Sequence, residues 1–79
     1  MEEKYEDFRI FGENLWHLRN QHGLSQEAMA QKLHIGVKTL QNVEGGIFCP
    51  RLRMEVLFYI QEEFGVQPCL MFIPEMEEW

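Results

Sequence analysis

Apolar residues recur along this chain every three or four positions, the repeat of a helix buried on one side, while strand-like alternation never persists. Tyr5, Phe8, Gly12, Leu15 and Leu18 form one such stripe, and the helix carrying it should stop near His22 and Gly23, where glycine can close a C-terminus. Ser25 is a good N-cap for a second helix, and Glu27 places negative charge in its first turn. Met29, Ala30 and Leu33 make the inward face of that helix. A third helix turns Leu40 and Val43 inward and ends at Gly45 and Gly46. Pro50 introduces a fourth helix over residues 51–64, whose apolar content exceeds a single stripe. Leu57, Ile60 and Phe64 suit the core, whereas Met54 and Phe58 point elsewhere. Pro68 is placed as the first residue of a short fifth helix through Phe72. The expectation is an all-α fold of five compactly packed helices. One domain should span residues 1–79, because a chain this short has no room for a second core.

Composition narrows the class. Hydrophobic residues make up 46% of the chain, enough to build a core. The longest apolar runs, VLFYI at 56–60 and CLMFI at 69–73, are far short of the roughly 20 residues of a membrane span. The charged start MEEKYED lacks the apolar core of an export signal. Cys49 and Cys69 form no CxxC, and His17, His22 and His34 show no zinc spacing with them. These features imply reduced thiols, no metal, no cofactor and a cytoplasmic protein. The histidines form no nucleophile–base–orienter set and no phosphate loop is present, so an enzyme is not expected.

The formal net charge is −6, but its distribution matters more than its sum. An acidic extension at residues 1–8 and an acidic tail at 74–79 flank a middle that is mildly basic. Over residues 9–53, Arg9, Arg19, Lys32, Lys38, Arg51 and Arg53 outnumber Glu13, Glu27 and Glu44. Fields at a protein surface are screened over roughly 8–10 Å, so a local basic face can meet phosphates despite the total.

If Leu40 and Val43 face inward, then Lys38, Gln41, Asn42 and Gly45 share the opposite side of the third helix, with Val37 at its exposed tip. Lys38, Gln41 and Asn42 can hydrogen-bond base edges or phosphates. Taken alone, the same triplet is also what an ordinary solvent face looks like. The arrangement around it adds more. Gly12, Leu15, Leu18 and Arg19, then GLSQEAMAQKL (23–33), TLQNVEGG (39–46), Pro50 and FGV (64–66) resemble the Cro/phage-repressor type of helix-turn-helix domain, the Xre-like regulators. The resemblance covers residues 11–72, with the motif itself at about 25–45.

That resemblance implies a lambda-repressor-like fold and a sequence-specific double-stranded DNA-binding regulator. It assigns base reading to Val37, Lys38, Gln41 and Asn42. Phosphate contacts fall to Gln26, Thr39, Arg51 and Arg53, and Ala30 takes the close crossing of the motif's two helices. Arg19 and Glu44 occupy positions that often form a structural ion pair. A homodimer is expected, with the apolar surplus at Met54, Phe58, Met71 and Phe72 as its candidate interface.

The sequence also departs from the family. His34 stands where the turn usually has glycine; if the left-handed backbone is kept, that costs about 1–2 kcal/mol. Gly36 replaces a hydroxyl cap, Val37 a polar reader, and IFC (47–49) a polar loop, while Trp16 falls where the first helix is often basic. These changes weaken direct readout and add apolar surface. They motivate an alternative, a protein-interaction module on the same fold, antitoxin-like or an adaptor, with a protein partner in place of DNA.

Overall fold

The computed structural model describes residues 6–47, 52 and 54–73, with side chains from Phe8 onward. Its elements are α1 (Glu6–Gln21), α2 (Gln26–Leu33), α3 (Val37–Glu44), α4 (Glu55–Phe64) and a 3-10 helix (Pro68–Phe72); the described residues include no strand. The architecture is all-α, as the periodicity implies, with the fifth element wound as a 3-10 helix. Its short i→i+3 bonds, Leu70 N–H to Gln67 carbonyl and Ile73 N–H to Leu70 carbonyl, are the reason.

α1 ends where glycine was expected to end it. Gly23 adopts φ 64°, and the Leu24 N–H turns back to the Arg19 carbonyl. Ser25 then caps α2, its Oγ accepting from the Ala28 N–H at 3.1 Å. The core is built from Phe11, Leu15 and Leu18 of α1, Met29, Ala30 and Leu33 of α2, Leu40 and Val43 of α3, Val56 and Ile60 of α4, with Val66 and Met71. α1 packs on α3 and on the 3-10 helix, and α2 packs on α3 and α4. At the α1–α3 crossing a Cβ on Gly12 would collide with the Val43 carbonyl. Glycine there sets how closely the two helices approach.

Several expectations require correction. The α4 helix begins at Glu55, four residues later than the 51–64 assignment. Ile60 is buried and Leu57 and Phe64, half-buried, pack against the core as assigned, while Val56 is a further buried residue that the assignment left out. Met71 is fully buried and belongs to the core, which removes it from the exposed apolar surface assigned to a dimer. A 3-10 helix repeats every three residues rather than 3.6, and that phase carries Met71 inward. Phe72 is 39% exposed and stacks on Phe11 with ring centroids 5.5 Å apart. Met54 and Phe58 stand out from α4, as expected of them.

A buried polar clamp completes the fold. Asn14 is 1% exposed and donates both Nδ2 protons, to the Met71 carbonyl at 2.8 Å and the Ile73 carbonyl at 2.9 Å. These bonds tie the 3-10 helix to α1 and satisfy carbonyls that its end would leave open.

Candidate nucleic-acid interface

The turn between α2 and α3 decides how α3 is presented. His34 holds the left-handed conformation, φ 60° and ψ 40°, the only described non-glycine residue with positive φ. Its ring stacks on Tyr59 of α4 at 4.1 Å and 27°, and this contact offsets part of the backbone strain. Its N–H and that of Ile35 close the end of α2 on the Gln31 and Ala30 carbonyls. Gly36 caps α3 with extended backbone and offers no side-chain bond, as the missing hydroxyl implies. Ala30 is buried where the two helices meet.

On α3, burial of Leu40 and Val43 leaves Lys38 and Gln41 exposed on the far side, with Asn42 and Thr39 half-buried. Val37 is not an exposed tip. It is half-buried and packs on the core, so a valine here serves packing that a polar reader could not.

Behind this face runs a connected polar chain. Arg19 of α1 grips Glu44 of α3 with two bonds, Nε to Oε2 at 2.7 Å and Nη2 to Oε1 at 3.1 Å. The Glu44 side chain is 4% exposed and that of Arg19 13%. Arg19 Nη1 also donates to the Leu24 carbonyl at 3.0 Å, so one guanidinium ties α1, the α1–α2 turn and α3 together. Gln26, the first residue of α2, donates Nε2 to Glu44 Oε1 at 3.1 Å and accepts from Gln41 Nε2 at 3.2 Å. Gln26 is therefore engaged with α3 through both ends of its amide, which leaves its second Nε2 proton for a phosphate. Sequence reading missed this link, because glutamines at 26 and 41 look the same whether they face solvent or each other.

Arg51 and Arg53 lie outside the described residues. Cys69 is an exposed free thiol, and no group of histidine, cysteine or carboxylate side chains suited to a metal occurs among the described residues. No described helix is long and apolar enough to cross a membrane.

A family model described as helix-turn-helix matches residues 17–68, well over half of the chain. The chain belongs to the Xre-like helix-turn-helix family. No curated protein and no solved structure matches it. The match spans α2, α3 and the turn, runs through α4, and includes both members of the Arg19–Glu44 pair. Helix-turn-helix membership makes the chain a DNA-binding regulator by class, a family not typically enzymatic.

Proposed function

We propose that the chain is a sequence-specific regulator that reads the major groove of double-stranded DNA with α3, as a homodimer. Lys38, Gln41 and Asn42 contact base edges, and the half-buried Val37 offers only a methyl-sized apolar contact to thymine. Thr39, Arg51, Arg53 and the remaining N–H of Gln26 hold phosphates and fix the register. Residues 1–79 act as one domain, and the acids at 1–8 and 74–79 lower its non-specific affinity for a polyanion. The observation that carries this reading is the exposed Lys38–Gln41 face of a short helix braced from behind by Arg19 and Glu44. The dimer rests on Met54, 79% exposed, and Phe58, 57% exposed, four residues apart on one side of α4. Such apolar side chains favour a buried contact over solvent.

Selection from random duplex DNA tests the reading. It should enrich one half-site, repeated with two-fold symmetry about 34 Å apart. Absence of any enrichment, with no affinity at low salt, would sink it. Trp16 and Ile47, 45% and 57% exposed, favour the second reading, a protein-interaction module. In that case the chain would enrich no sequence, and Trp16→Ala would abolish capture of a partner.

A further inference from the structure

We infer that Glu44 and Gln26 act as positioning residues that fix the orientation of the Gln41 amide and so make Gln41 a reader of adenine. This inference rests on the proposed DNA reading and adds a base preference to it. A carboxylate only accepts hydrogen bonds, and both oxygens of Glu44 are engaged by Arg19. The Gln26 atom 3.1 Å from Glu44 Oε1 must then be the amide nitrogen. Its oxygen is thereby turned toward Gln41, 3.2 Å away, and Gln41 must donate its own nitrogen to it. Each member has one allowed orientation, set by the charge at the buried end of the chain. What Gln41 keeps for a ligand is its carbonyl oxygen and one N–H.

That pair matches the major-groove edge of adenine, which offers an N6–H donor beside the N7 acceptor. Guanine offers two acceptors, N7 and O6, and would set its O6 against the Gln41 oxygen. A free glutamine could rotate its amide to suit either base. A tethered one cannot, and the difference is a specificity that Gln41 alone would not possess. Only Gln41 would touch the DNA base; Gln26 and Glu44 act through it.

The test uses the full chain and Gln26→Leu, which cuts the relay while leaving the Arg19–Glu44 pair in place. Duplexes differing at one base pair, the one whose preference responds to Gln41→Ala, are titrated with each protein. The wild-type chain should favour adenine over guanine there by roughly 5- to 150-fold, the worth of a bidentate contact. In Gln26→Leu that ratio should fall below about 3-fold. The ratio is the readout, since losing a phosphate contact at Gln26 would weaken all duplexes alike and leave it unchanged. Glu44→Gln, whose amide can donate as well as accept, should lower the ratio in the same way. A DNA-free readout accompanies it: the Gln41 side-chain amide signals of the free protein should shift in Gln26→Leu. An unchanged ratio in Gln26→Leu, a preferred base other than adenine, or unmoved Gln41 amide signals would each overturn the relay. A wild-type chain that enriches no sequence would instead overturn the DNA reading on which it stands.

Discussion

Replacing Glu44 by alanine removes the acceptor of three hydrogen bonds, two from Arg19 and one from Gln26. Arg19 is left with the Leu24 carbonyl alone, its side chain only 13% exposed. Breaking a buried pair by deleting one partner costs about 3–5 kcal/mol, because the other charge stays buried without compensation. The residual exposure of Arg19 places Glu44→Ala at the lower end, about 3 kcal/mol. A chain of this length has a total stability of roughly 4–12 kcal/mol, so the loss is a large share of the whole. It should lower Tm by at least about 12 °C. Removing both charges together, as Arg19→Met with Glu44→Leu, should cost less than half of the single change, since no orphaned charge remains. Urea unfolding followed by circular dichroism measures all of this, with an unchanged m-value showing that the same fold is being unfolded. The reasoning fails if Glu44→Ala costs under about 1 kcal/mol, the range of an exposed pair. It fails equally if the single changes add to give the double.

Other substitutions probe separate features. Gly12→Ala would gain about 1 kcal/mol in an isolated helix, yet here it should lose about 2 kcal/mol or more in urea unfolding, because the Val43 backbone cannot move aside. His34→Ala keeps the left-handed strain and loses the Tyr59 stack, so it should destabilise by about 1 kcal/mol. His34→Gly loses the stack but relieves the strain, and its thermal unfolding should stay within about 1 kcal/mol of the parent. Lys38→Ala should reduce the log–log salt slope of DNA binding by about one unit if Lys38 meets a phosphate, and change preference at one base pair if it meets a base.

Much of the fold was legible because the signals were local. Gly23, Ser25 and the Gly45–Gly46 pair announce helix ends through backbone geometry that neighbouring residues alone determine. What escaped was non-local or a matter of phase. Asn14 reads as one polar residue in a helical stripe, and nothing nearby announces bonds to carbonyls 57 and 59 residues away. In α4 nearly every side carries an apolar residue, so the pattern did not single out Val56, which is buried like Ile60 while Leu57 and Phe64 pack half-buried against the core. Met71 was misplaced because the run CLMFI is apolar throughout, and its composition does not say which side chain the 3-10 helix turns inward. At the candidate site the outward placement of Lys38 and Gln41 follows from Leu40 and Val43 alone. The burial of Val37 against the core does not, nor does the bond between Gln26 and Gln41.

The central claim is that α3 presents the DNA-reading surface. Amide chemical-shift mapping of the labelled full chain, titrated with a selected duplex at about 50 mM salt where phosphate contacts are strong, tests it most directly. The account predicts the largest changes at residues 25–27 and 37–45, with α4 around Met54 and Phe58 and the Trp16 side of α1 little affected. Changes centred on Trp16 or Phe58, with Lys38, Gln41 and Asn42 unmoved, would contradict it.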